Sequence, residues 1–82
     1  MRLPRDLSGH DLAKSLRRYG YELVRQTGSH LQLTSNYRGD EHHITVPAHK
    51  ALKLGTLSGI ISAIAAYLDK DRAQLARELF GP

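Results

Sequence analysis

The stretch Arg25-Gln26-Thr27-Gly28-Ser29-His30-Leu31 limits what this chain can fold into more than any other segment. Apolar residues before it (Leu23, Val24) and after it (Leu31, Leu33) read as two strands. Thr27-Gly28-Ser29 reads as the short turn between them, with Gly28 able to take the positive φ that a tight hairpin asks for. A tight turn restricts the direction of the next side chain. That side chain is His30, at the first position of a strand and close to Arg25. An aimed imidazole in a basic setting suits phosphodiester chemistry, and many surface histidines share the same look.

The elements around the hairpin follow from capping and periodicity. Ser8 reads as the N-cap of a first helix, with Asp11 as a weak capping-box residue, an apolar stripe of Leu12, Leu16 and Tyr19, and Gly20 as the stop. Lys14, Arg17 and Arg18 form a basic strip on the opposite side of that helix. Strands are expected over about 21–27, 30–36 and 42–47, with a turn cluster at 36–40. Alternation assigns Val24, Leu31, Leu33, Ile44 and Val46 to one face, and Leu23, Arg25, His30, Gln32, Thr34, His43 and Thr45 to the other. A loop, 48–55, leads to a second helix capped by Thr56, with Leu57, Ile60, Ile61, Ile64 and Leu68 at helical spacing and Asp69 at its end. Asp71 caps a short third helix, with Gln74 in the capping-box place and Leu75, Ala76, Leu79 and Phe80 as its stripe. The expectation is an α+β domain: helix, three-stranded antiparallel sheet, helix, plus a short C-terminal helix, with helices on one side of the sheet only.

At 82 residues the chain allows one domain, 1–82, and one modest core. It has no cysteine, which excludes disulfides and thiolate metal sites and fits a reducing cytoplasm. No apolar run approaches the ~18 residues of a membrane span, and the start Met1-Arg2-Leu3-Pro4-Arg5-Asp6 lacks the apolar core of a signal peptide. A cytoplasmic protein with no membrane contact is expected. Residues 1–53 hold nine Lys/Arg against five Asp/Glu, whereas residues 54–82 hold three of each, so the net charge of +4 is concentrated where a polyanion would bind.

The histidines are poor metal ligands as a set. His42 and His43 are adjacent on a strand and face opposite ways, His10 sits at a helix start, and no carboxylate joins His30 and His49 at a ligand-like spacing. Ser29 and His30 likewise point apart, so a serine nucleophile served by this histidine is disfavoured; Ser29 closes the turn or donates to a phosphate. RNA cleavage asks for less, because the 2′-OH is the nucleophile. An imidazole can take or give the proton, Arg25, Lys50 or Lys53 can stabilise charge on the phosphate, and neither metal nor cofactor is needed. His49 is the available second acid/base, and equally a phosphate contact or a structural loop residue.

Several segments together resemble the HicA family of toxin-antitoxin modules, small mRNA interferases. They are Ser8-Gly9, Gly20-Tyr21-Glu22-Leu23-Val24-Arg25-Gln26, Gly28-Ser29-His30, Val46-Pro47-Ala48-His49-Lys50, Leu52-Lys53-Leu54-Gly55-Thr56-Leu57 and Ile60-Ile61. The resemblance implies a fold like that of a double-stranded-RNA-binding domain, endoribonuclease activity with His30 as the catalytic histidine, and a HicB-like antitoxin that masks the site. The turn and the basic residues around it make Arg25, Gly28, Ser29, His49, Lys50 and Lys53 the expected RNA-binding residues. The substrate that the resemblance implies is mRNA. The segment 67–80 exceeds many shorter relatives and is expected to thicken the core or extend the antitoxin-facing surface. The antitoxin is expected over the polar sheet face and residues 48–53, with Leu23 and Tyr37 as apolar anchors. A non-catalytic RNA-binding module of the same fold is the alternative; an adaptor whose basic face meets an acidic protein is a third reading.

Overall fold

The computed structural model describes residues 2–81. Ser8 caps the first helix as its side chain implies: its Oγ accepts from Asp11 N at 3.0 Å. Helix α1 (Gly9–Ser15) then tightens into a 3-10 turn over Leu16–Tyr19. In a 3-10 turn residues i and i+3 eclipse, and both Leu16 and Tyr19 are buried. Gly20 ends the helix in the left-handed region, φ 79°.

Strands β1 (Glu22–Thr27), β2 (His30–Ser35) and β3 (His42–Pro47) form an antiparallel sheet in the order β1-β2-β3. The buried residues Leu31, Leu33, Ile44 and Val46 share the face that meets the helices, as the alternation implies. Strand β1 departs from that alternation. Its register shifts between Leu23 and Arg25, so Leu23 pairs with Leu33 and Arg25 with Gln32. The extra residue at Val24 resets which side each neighbour takes. Leu23 therefore lies on the helix side of the sheet and not on the polar side with Arg25. At this edge the layer is not closed over the strand, and Leu23 and Val24 stay 52% and 63% exposed.

Helix α2 (Leu54–Leu68) starts earlier than a Thr56 cap would allow. Lys53 is the N-cap, with extended backbone and no side-chain capping bond, and Leu57 N closes the first turn on Lys53 O at 2.9 Å. Burial of Leu52 and Leu57 on either side of this turn positions it, so Thr56 falls inside the helix. Asp69 ends α2 in the left-handed region, φ 55°. Asp71 caps α3 (Arg72–Phe80) through Gln74 N at 3.1 Å. The Gln74 side chain does not complete the box; it donates to Glu78 Oε2 at 3.1 Å. The core joins Leu12 of α1, Leu16 of the 3-10 turn, Leu31, Leu33 and Val46 of the sheet, Leu57, Ile61 and Ile64 of α2, and Leu75 of α3.

Polar contacts lock the corners. Ser35, 1% exposed, donates to Tyr19 O at 2.6 Å and accepts from Tyr37 N at 3.1 Å. Tyr21 OH meets His42 Nδ1 at 2.6 Å, His42 stacks on Tyr67, and burial pushes the His42 imidazole below its usual pKa. Glu78 on α3 accepts from Tyr19 OH, from Lys70 Nζ at 3.1 Å and from Gln74, and Arg18 donates to the Glu78 carbonyl. The hydrogen bonds to Glu78, that of Tyr19 foremost, hold its carboxyl down at about 2. These bonds tie the third helix to the end of the first.

Candidate nucleic-acid interface

The hairpin turn consists of Gly28 and Ser29 alone, with Thr27 and His30 paired on either side. Gly28 has φ 51° and Ser29 is not in the positive region, which fits a II′-type connection with glycine at its first central position. His30 pairs with Thr27 on one side and Pro47 on the other. It therefore ends the central strand, on the face that no helix covers, and it is exposed.

Two backbone hydrogen bonds bring other segments to this corner. Ala48 N donates to Ser29 O at 2.7 Å, which ties the residues after β3 to the turn. Gly9 N donates to His49 O at 3.0 Å, which ties the start of α1 to the same loop. The approach at Gly9 is so close that a Cβ there would stand 2.0 Å from Pro47 O. The Ser8-Gly9 pair thus has two separate jobs: Ser8 caps the helix, and Gly9 lets its first turn lie against the end of β3. Helical and capping signals could not show the second, because Pro47 is far along the chain.

Arg25 pairs with Gln32, so it shares the open face with His30 and is its diagonal neighbour, roughly 7–8 Å away and within reach of a long side chain. Gln32 Oε1 accepts from Thr45 Oγ1 at 2.9 Å, and Thr34 Oγ1 bonds His43 Nδ1 at 2.9 Å. His43 Nε2 lies 2.7 Å from Glu41. The open face is therefore a polar layer with side chains bonded across strands. His49 and Lys50 follow the pinned Ala48 and are exposed. Arg25, Gly28, Ser29, His30, His49 and Lys50 thus gather at one corner. Lys53 is the exposed N-cap of α2 and follows the buried Leu52, whose N–H is held by Leu7 O at 2.7 Å.

Arg18 of the basic strip is engaged elsewhere. Arg18 bonds the Glu78 carbonyl and lies over the Tyr19 ring, so it braces α3. His42 is occupied by Tyr21 and Tyr67, and His43, on the open face, is held by Thr34 and Glu41. Among the described residues no three His, Asp, Glu or Cys side chains converge as a metal-holding group. No helix there is long and apolar enough to cross a membrane.

Searches of curated proteins and of solved structures return no match. A family model described as the HicA toxin of bacterial toxin-antitoxin matches residues 9–65, from the glycine that seats α1 to the buried face of α2. With more than half of its length matched, and with the α+β fold described above, the chain belongs to the HicA family of toxins of bacterial toxin-antitoxin systems.

Proposed function

We propose that this toxin is a metal-independent endoribonuclease that cleaves mRNA in the cytoplasm, that residues 1–82 form one nuclease domain, and that a HicB-like antitoxin restrains it. The observation that carries the reading is the position of His30. It ends the central strand on the open polar face, beside the pinned Ala48–Lys50 segment and diagonal to Arg25.

The chemistry asks for three things. The 2′-OH of the RNA attacks its own phosphate, so a proton must leave that hydroxyl and another must reach the departing 5′-oxygen. His30 serves as one of these acid/base groups and His49 is the candidate for the other. Arg25 and Lys50 offset the charge that builds on the phosphate. Gly28 gives the backbone close approach, and the Ser29 hydroxyl donates to a phosphate oxygen while its carbonyl stays with Ala48. Lys53 serves as a peripheral phosphate contact further along the RNA. Neither a metal nor a cofactor enters these steps.

The test is His30→Ala. His30 is exposed, so truncation should shift stability by no more than about 0.5 kcal/mol. Cleavage should fall by about 10²–10⁴-fold or more, while affinity for RNA falls little. A folded His30→Ala protein that cuts RNA at the original rate removes His30 from the mechanism. One observation favours a non-catalytic RNA-binding module instead: among the described residues no side chain hydrogen-bonds the His30 ring to orient it. On that reading the substitution changes affinity alone, and the intact protein leaves RNA uncut.

A further inference from the structure

Residues 2–5 and helix α3 lie outside the matched segment 9–65, and the two line one groove. Residues 2–5 run along α3 and leave an open groove of about 680 Å³ between them. Its polar rim includes Arg2 and Arg5 from the first segment and Arg77 from the helix. Its floor is apolar: Leu3 and Phe80 are partly buried against the core and Ala76 is buried.

The three guanidinium groups have no acidic partner among the described residues, where the ion pairs are His43–Glu41 and Lys70–Glu78. The acids of α3 and its cap are turned to other work. Asp71 caps the helix, and Glu78 is saturated by Tyr19, Lys70 and Gln74. Like charges lining one groove repel unless a counter-charge arrives. Planar arginine forks match carboxylates in bidentate pairs, and the apolar floor gives a place for aliphatic or aromatic side chains between them.

We propose that this groove docks an acidic segment of the antitoxin, with carboxylates on Arg2, Arg5 and Arg77 and apolar side chains over Leu3 and Phe80. Nucleic acid fits the groove less well. Phe80 is the one aromatic residue of the lining and is partly buried, and the groove is built on the helix layer, whereas His30 lies on the opposite, uncovered face of the sheet. The proposal rests on membership of a toxin-antitoxin family and not on the chemistry of His30, so it stands or falls separately from RNA cleavage.

The test uses the full chain and three fluorescent probes: a short peptide alternating Asp or Glu with Leu or Phe, the same peptide with Lys in place of the acids, and a single-stranded RNA. The acidic peptide should bind in a salt-sensitive manner, and the double variant R2E/R77E should weaken it by about tenfold or more. Phe80→Ser should weaken it as well, with folding of each variant checked by circular dichroism. A HicB-like antitoxin that binds the intact chain should lose affinity for R2E/R77E to a similar degree, while cleavage of free RNA by that variant is unchanged. Failure of the acidic peptide to bind, equal binding of the Lys peptide, or an unaltered antitoxin affinity overturns the proposal. Loss of RNA affinity in R2E/R77E comparable to the loss of peptide affinity also overturns it, and makes the groove a nucleic-acid surface.

Discussion

The backbone N–H of Gly9 donates to the carbonyl of His49 at 3.0 Å, so the start of the first helix holds the loop that carries the second candidate acid/base. The contact is possible because residue 9 has no side chain: a Cβ would be 2.0 Å from Pro47 O. The obstacle is backbone at the end of a strand, which cannot swing aside as a flexible side chain would.

Gly9→Ala should therefore destabilise the protein by ~1–3 kcal/mol, the usual cost of overpacking, seen as a fall of roughly 4–8 °C in Tm per kcal/mol. RNA cleavage at a temperature where the variant is folded should fall as well, because the loop from Pro47 to His49 must move. Wild-type stability and cleavage in Gly9→Ala would show that the helix start is free to shift.

RNA affinity should weaken steeply as salt rises, since phosphate contacts release counterions. Removing Arg25 or Lys50 should each lower the slope of log K against log salt by about 0.7, the value for a single-stranded contact. Lys53→Ala should have a smaller effect, because Lys53 starts α2 beyond the buried Leu52, further along the chain from the hairpin than Lys50. Arg18→Ala should leave the slope alone and lower stability instead, as its guanidinium braces α3. Equal slopes for wild type and Arg25→Ala would take Arg25 out of the RNA path.

Cleavage should persist in chelator and should stop when the nucleotide at the cut site carries a 2′-deoxy sugar. The product of the normal substrate should end in a cyclic phosphate. Chelator-sensitive cleavage, or cutting of the deoxy substrate, would mean that water and not the 2′-OH is the nucleophile.

Acid should unfold the protein partly through Glu78. Hydrogen bonds, that of Tyr19 largest, hold its carboxyl at about 2 against an ordinary value of 4.5. In that window the unfolded chain binds the proton and the folded one does not, so stability rises with pH. The contribution is complete above about 4.5 and is lost progressively as pH falls towards 2. Thermal melts of Glu78→Gln should start from a lower Tm at neutral pH and decline less between these values than those of wild type. Parallel declines in the two proteins would place the acid sensitivity in other carboxylates.

Much of this architecture is local chemistry. Ser8 and Asp71 cap their helices through their own side chains, Gly20 and Gly28 take positive φ, and the alternation Leu31, Leu33 and Ile44, Val46 assigns the inner face of two strands. Each depends on neighbours within a few residues, so each could be read before any contact was known. The chain passes the same point for His30: a two-residue turn sets its place at the head of a strand. What needed the tertiary structure depends on partners far apart in sequence. The shift in β1 moves Leu23 to the helix side, because pairing with Leu33 overrides simple alternation. Lys53 starts α2 in place of Thr56, because burial of Leu52 and Leu57 outweighs a hydroxyl cap. Arg18 leaves the basic strip for the Glu78 carbonyl, and Arg2 and Arg5 line one groove with Arg77 although more than 70 residues separate them in sequence. Local propensity is worth a fraction of a kcal/mol to about 1 kcal/mol per residue, and burial of a large apolar side chain about 1.5–3 kcal/mol, so packing decides wherever the two disagree.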